Sequence, residues 1–177
     1  MYWDACAWLG LINAELSRHA SCKYTMEQAE QGKVEIVTSA FTLAEVFKKK
    51  CVATSDGLPP VSDTAFEDFL TKECVVMVNV DREVGTYARR LLRSFPEIKK
   101  PQDAIHLATA ALNNLDELHT YDGANLLPLD GKIQRADKQP LRICTPLAPP
   151  PGASGPLFEK TTADGYNNDS SAADSTP

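Results

Sequence analysis

Two kinds of hydrophobic pattern alternate along this chain. Short apolar or β-branched runs predict strands, and stretches whose apolar residues recur every three or four positions predict helices. The predicted strands are a very short one at residues 1–3, followed by residues 34–38, 74–80, 117–121 and 141–145. The predicted helices are residues 5–16, 25–31, 40–50, 63–73, 82–95 and 103–114, with a loop at residues 17–23. This alternation predicts an α/β fold, a three-layer α/β/α domain with a mostly parallel central sheet.

The run CVVMVNV at residues 74–80 is apolar almost without interruption. Such runs are typical of strands that are covered on both faces, as in the middle of a parallel sheet. We therefore expect this strand to be buried on both sides. The final predicted strand, residues 141–145, is expected at an edge of the sheet.

Four acidic residues stand where solubility alone does not explain them. Asp4 follows the first strand and precedes the first helix, Asp103 opens a strongly apolar helix, and Asp122 ends a short strand. Glu45 is predicted in the middle of a helix, flanked by apolar residues. Because ligands of parallel α/β sheets bind beyond the carboxyl ends of the strands, we expect all four carboxylates to meet at one edge.

Each of these acids also has an ordinary structural interpretation. Asp4 alone reads equally well as a helix N-cap, because aspartate there accepts hydrogen bonds from backbone N–H groups. Glu45 could be an exposed acid paired with Lys48 or Lys49, three or four residues further along the helix. These alternatives stay open at the level of the sequence.

A cluster of four carboxylates indicates a metal ion. Like charges raise one another's pKa, and burial adds to the penalty, so the four cannot all stay ionised without compensation. Oxygen ligands favour Mg²⁺ or Mn²⁺ over zinc. No cysteine or histidine cluster stands at zinc-binding spacing, and neither His19 nor His119 has a partner at ligand spacing in the sequence.

One helix carries a basic stripe opposite its apolar face. Arg82, Arg89 and Arg93 fall within a narrow sector of the predicted helix 82–95, and Lys99 and Lys100 follow it. Such a stripe is most often just a solvated surface; the functional interpretation is contact with the phosphates of RNA. The formal net charge of −6 argues against a strongly basic nucleic-acid binder.

The remaining features of the sequence concern disulfides, location and domain limits. The five cysteines are odd in number and widely spread, so no disulfide framework is indicated. No segment approaches a membrane span, and the amino terminus does not resemble a secretion signal, which predicts a soluble, cytoplasmic protein with no membrane association. We expect one domain over residues 1–147. Residues 148–177 are rich in Pro, Ser and Asp and are expected to be a disordered tail.

Four segments, in order, resemble the motifs of PIN-domain nucleases, a family that includes the VapC-like toxins of toxin-antitoxin pairs. They are YWDACAWL at the start, SAFTLAEVF, PQDAIHLATA and LHTYDG. The similarity covers residues 1–145, and DAIHLATA is its most specific part.

The resemblance implies a metal-dependent endoribonuclease in which Asp4, Glu45, Asp103 and Asp122 are the catalytic, metal-binding acids. It further implies supporting polar roles for two hydroxyl residues, Ser39 and Thr120. By this analogy, water activated by the metal attacks phosphorus in line and leaves 5′-phosphate and 3′-hydroxyl ends. An antitoxin partner and a homodimer are implied as well.

The chain departs from the family pattern at Asn125, where many relatives carry a further acid. This departure weakens a second metal position and favours one metal. His106, one turn after Asp103, is predicted to be a structural hydrogen-bond donor rather than a general base.

Two alternative functions are kept. The first is a non-catalytic RNA- or protein-binding module that uses the basic stripe. The second is a Mg²⁺-dependent phosphotransfer domain, which is disfavoured because Asp4 is followed by Ala5 and Cys6 instead of a second aspartate.

Overall fold

The computed structural model describes residues 1–14, 17–50 and 55–150. Its centre is a sheet of five strands in the order β3-β2-β1-β4-β5. Every neighbouring pair of strands is parallel. The strands are β1 Tyr2–Trp3, β2 Ile36–Ser39, β3 Val75–Val78, β4 Glu117–His119 and β5 Arg142–Cys144. The predicted α/β architecture with a parallel sheet is confirmed.

Helices connect the strands. They are α1 Ala5–Ile12, α2 His19–Glu30, α3 Ala40–Glu45, α4 Pro60–Leu70, α5 Arg82–Ser94 and α6 Pro101–Leu112, with a short 3-10 helix at Leu127–Leu129. Within the described residues, none of these helices has the length and apolar character that crossing a bilayer requires.

Side chains of successive strand residues divide the core into two halves. Tyr2 packs in the cluster that α5 and α6 supply, whereas its neighbour Trp3 packs in the cluster of α1, α2 and Phe66 of α4. This division follows from the alternation of side chains across a strand. The sheet is therefore covered by helices on both faces, which is the predicted three-layer arrangement.

Strand β3 corrects the expectation of burial on both faces. It lies at an edge of the sheet, and Val76 and Met77 are 36% and 39% exposed. An apolar run shows that a strand is hydrophobic, but it does not give the strand's position in the sheet. The expectation that β5 is an edge strand is confirmed.

Some helix boundaries also differ from those predicted. Helix α2 begins at His19, so most of the expected loop at residues 17–23 is helical. Helix α1 ends at Ile12, and residues 15 and 16 of its predicted span lie outside the described residues. Most of the predicted tail, from residue 151 on, also lies outside them.

Candidate active site

A cavity of about 480 Å³ opens at the edge where β1, β2 and β4 end. All four predicted carboxylates line it: Asp4, Glu45, Asp103 and Asp122. They come from four separate segments, so only the fold brings them together. The polar part of the wall also includes His106, Gln102 and three lysines, which are Lys48, Lys50 and Lys100.

Asp4 is held by the start of helix α1. Its Oδ1 accepts a hydrogen bond of 2.9 Å from the N–H of Ala7, so the capping role is real. The side chain is nevertheless only 2% exposed. Burial raises the pKa of Asp4 above its ordinary value, although the charge of His106 and a hydrogen bond with Thr120 act in the opposite direction. Capping alone does not require this burial.

Asp103 lies in the first turn of helix α6 and has the most informative environment. The residue is 8% exposed, and its Oδ2 is buried with no hydrogen-bond partner in the described part of the chain. Burial, followed by the negative charge of Asp122, raises the pKa of Asp103 to about 6, against the opposing effects of Lys100 and His106. A buried carboxylate oxygen without a donor costs about 1–3 kcal/mol or more, unless another ligand contacts it.

Asp122 is stabilised in its ionised form. Its Oδ1 accepts hydrogen bonds from the N–H groups of Ala124 and Asn125, at 3.0 and 2.9 Å, and its Oδ2 accepts one of 2.8 Å from the side chain of Asn125. Burial opposes this effect, but the hydrogen bonds from Asn125 and Ala124 outweigh it and lower the pKa of Asp122. Asn125 thus holds an existing carboxylate in place and adds no charge of its own.

Glu45 is the last residue of α3, not the middle of a longer helix as predicted. Its Oε2 lies 2.5 Å from Nε2 of His106, and this contact was not expected. On the other side of the ring, Nδ1 of His106 lies 2.7 Å from the hydroxyl of Tyr2, which itself donates to Oγ of Ser39 at 2.8 Å. Because the Tyr2 hydroxyl has one hydrogen and gives it to Ser39, it accepts from His106.

Both ring nitrogens of His106 therefore donate hydrogen bonds, which describes a protonated imidazolium. Burial acts against this charge, but Tyr2, the hydrogen bond and charge of Glu45, and the charge of Asp4 raise the pKa of His106 well above its ordinary value. The expectation of a hydrogen-bond donor agrees with this geometry. Its partner is one of the four acids, a contact between residues 61 positions apart.

The two predicted supporting hydroxyls lie behind the acids. Thr120 is fully buried; its Oγ1 accepts a 3.0 Å hydrogen bond from the N–H of Asp122, and its side chain hydrogen-bonds Asp4. Ser39 is also fully buried and reaches Glu45 only through Tyr2 and His106. Thr120 therefore touches two of the acids directly, whereas Ser39 touches none of the four through these contacts.

The five predicted RNA-contacting residues are all exposed, and they are Arg82, Arg89, Arg93, Lys99 and Lys100. Of this set, Lys100 lines the cavity. Nζ of Lys99 donates to the carbonyl of Pro96 at 2.6 Å.

The donor set suits a small hard cation. Four carboxylates supply oxygen ligands, and one of those oxygens, Oδ2 of Asp103, is buried and unsatisfied within the described residues. Mg²⁺ and Mn²⁺ prefer such oxygen ligands and keep part of their water shell, for which the cavity has room. The residues at this edge therefore fit the ion that the sequence suggested.

Comparison with known proteins identifies the family of this chain. The family model of the PIN domain matches residues 1–126, and the chain belongs to the PIN-domain family. The matched segment contains all four acids.

One solved structure shares the fold of this chain. The crystal structure of Mycobacterium tuberculosis VapC20, described as a sarcin-ricin loop cleaving toxin, is similar with a TM-score of 0.54 and 20% sequence identity. The similarity covers 69% of this chain and 89% of that one. At this identity the likeness shows the shared fold. No curated protein sequence matches the chain.

Proposed function

We propose that this protein is a Mg²⁺- or Mn²⁺-dependent endoribonuclease that hydrolyses RNA phosphodiester bonds. The observation that carries the proposal is the buried Oδ2 of Asp103, which no described residue hydrogen-bonds, in a cavity with three other carboxylates. Membership of the PIN-domain family supports the same reaction class. The similar structure points the same way, since VapC20 is described as a toxin that cleaves the sarcin-ricin loop.

In this proposal Asp4, Glu45, Asp103 and Asp122 hold the metal. When bound, the ion neutralises part of their charge, polarises the phosphate and lowers the pKa of water. Two of these acids have different roles. Asp122 is fixed by its hydrogen bonds to the 124–125 backbone and to Asn125, so it stays ionised. Oδ2 of Asp103 has no donor in the part of the chain that the structure describes, so it is available to a cation.

His106 acts as a positioning residue. Its Nε2–H holds Glu45 at 2.5 Å, and Tyr2 and Ser39 fix the ring from behind. The imidazolium also offsets one negative charge among the four. With His106 in this role, one acid is balanced by the protein itself, which suits the expectation of a single metal.

The basic residues bring RNA to the cavity. Lys100 stands in its wall, next to the acids, where its charge can meet a phosphate of the substrate. Arg82, Arg89, Arg93 and Lys99 are exposed and extend this attraction over the surface. Such contacts give affinity without sequence readout, so they do not define the RNA target.

A protein inhibitor would find suitable chemistry around the same cavity. Leu43 and Phe47 are 47% and 54% exposed on and just after α3, and Phe47 lines the cavity beside the acids. A segment with basic and apolar side chains, as expected of an antitoxin, complements this combination. The toxin role and the homodimer remain proposals that follow from the family, and the cytoplasmic location stays a prediction from the sequence.

The decisive experiment measures RNA cleavage with and without Mg²⁺ for the parent protein, Asp103→Asn and a matched control, Asp63→Asn. Asp63 is an exposed acid in the first turn of α4, also near a helix start. We expect Mg²⁺-dependent cleavage by the parent and by Asp63→Asn, and its loss in Asp103→Asn.

Cleavage that survives equally in Asp103→Asn and in a chelator would overturn the proposal. Binding of RNA without cleavage by the parent would instead support the non-catalytic module. Circular dichroism of each variant shows whether a loss of activity comes from unfolding.

A further inference from the structure

A second group of metal-binding side chains lies away from the carboxylate cavity, on strands β4 and β5. Glu117, His119 and Cys144 each offer one ligand atom, and these atoms all lie within 4.8 Å of one another. None of the three lines the cavity of the four acids. In the sequence, Cys144 is far from the other two, so no zinc motif is visible there.

The sheet register creates this grouping. Glu117 and His119 are two residues apart on β4, so their side chains share one face. His119 and Cys144 are register partners in the parallel pair β4–β5. Three different ligand types are thus held by regular backbone, which is more rigid than a loop.

Glu117 is already oriented for binding. Its Oε1 accepts a 2.8 Å hydrogen bond from Arg142, which leaves Oε2 facing Nε2 of His119 at 2.9 Å. Two tetrahedral zinc ligands lie about 3.4 Å apart, given bond lengths of about 2.0–2.2 Å. The two atoms therefore need to separate by only about half an ångström to admit a zinc ion between them.

His119 faces Glu117 with its Nε2 atom. The ring is fully buried, and its Nδ1 has no hydrogen-bond partner among the described residues. That atom lies on the opposite side of the ring from Nε2, so Nε2, which faces Glu117, is the nitrogen that a metal between these residues would contact. Glu117 and Cys144 are partly exposed, which gives such an ion a route from solvent.

We propose that Glu117, His119 and Cys144 form a separate binding site for a borderline divalent metal, with zinc as the natural occupant. A thiolate, an imidazole and a carboxylate are zinc ligands, and three protein ligands leave one position for water. Mg²⁺ is disfavoured because it avoids sulfur and nitrogen ligands. As the metal binds, the thiol of Cys144 loses its proton, and Nε2 of His119 gives up its hydrogen, so that the neutral ring keeps one hydrogen on Nδ1. The site cross-links β5, an edge strand, to β4.

The test uses the full chain, stripped of metal and titrated with Co²⁺, whose bond to a thiolate gives a charge-transfer absorption in the near ultraviolet. We expect this band at one Co²⁺ per chain, bleached by added Zn²⁺. We also expect Zn²⁺ to raise the unfolding temperature. In Cys144→Ser, a nearly isosteric change, the band is lost and Co²⁺ and Zn²⁺ affinity falls by at least about tenfold.

Two controls separate this site from the carboxylate cavity. Asp103→Asn should retain the band, because Asp103 belongs to the carboxylate cavity and not to the group of Glu117, His119 and Cys144. Cys6→Ser should also retain it, although Cys6 lines the carboxylate cavity and would be the thiolate if the metal bound there. No band in the parent, or a band that persists in Cys144→Ser, overturns the proposal.

Discussion

Asp4 and Asp81 begin helices α1 and α5 with the same hydrogen bond, yet their surroundings differ. Each side chain accepts from the N–H of the residue three positions later, Ala7 or Val84, at 2.9 Å. Asp81 is exposed, whereas Asp4 is 2% exposed and lines a cavity with three other carboxylates. The pair therefore compares a cap in solvent with a cap inside a site.

The difference shows what capping does and does not explain. An N-cap aspartate stabilises a helix by about 1 kcal/mol, and it does so from an exposed position as well as from a buried one. Burying an ionised carboxylate among other acids costs stability. This excess cost at Asp4 has no benefit for the folded chain alone, and such trade-offs are typical of functional sites.

The largest expected effect separates the two caps by activity. Asp4→Asn keeps a capping oxygen but removes a negative ligand, so we expect Mg²⁺-dependent RNA cleavage to fall about 1,000-fold, or about 4 kcal/mol in the barrier. Asp81→Asn makes the same chemical change in solvent and should leave cleavage within about twofold. Single-turnover cleavage rates at saturating Mg²⁺ measure both. Equal losses in the two variants would mean that Asp4 is only a cap.

The second prediction concerns stability and pH in the absence of divalent ions. The pKa of Asp103 is raised from 3.8 to about 6 on folding, so its contribution to stability is present below the unfolded value and is lost as pH rises through about 6. Asp103→Asn has no such loss. Relative to the parent, its free energy of unfolding should therefore rise by up to about 2 kcal/mol between about pH 4 and pH 8. This is less than the whole pKa shift would give, because solvent reaches the cavity and screens the charge.

Urea unfolding with a chelator at several pH values measures this gain, and Asp81→Asn is the control, whose curve should run parallel to that of the parent. Added Mg²⁺ should then stabilise the parent more than Asp103→Asn. A constant difference between the parent and Asp103→Asn across the pH range would contradict the electrostatic account of the site.

The position of Asp4 and Asp122 was predictable because it depends on chain order. In a parallel sheet the carboxyl ends of all strands lie at the same edge. Asp4 follows β1 and Asp122 comes shortly after β4, so both had to lie at that edge. The cap at Asp81 was predictable for a similar reason, since both the acid and its N–H partner lie within four residues of sequence. The meeting of Asp4 and Asp122 at one edge of the sheet therefore follows from the order of strands and helices, without knowledge of any particular long-range contact.

The contacts that depend on packing were not predictable. The link between Glu45 and His106 joins α3 to α6 and depends on where α3 ends, which the apolar pattern placed too late. The exposure of β3 depends on strand order, which its own residues do not encode. The group of Glu117, His119 and Cys144 depends on the register of β4 against β5.

The smallest expected effect tests the exposed cap itself. Asp81→Ala removes the hydrogen bond to Val84 and should lower the free energy of unfolding by about 1 kcal/mol, while RNA cleavage by the folded protein is unchanged. Asp81→Asn, which keeps a capping oxygen, should recover most of that stability. Thermal and urea unfolding give the first quantity, and cleavage rates well below the unfolding temperature give the second. A loss of cleavage in Asp81→Ala without a loss of folded protein would place the start of α5 in the functional surface and remove the contrast between the two caps.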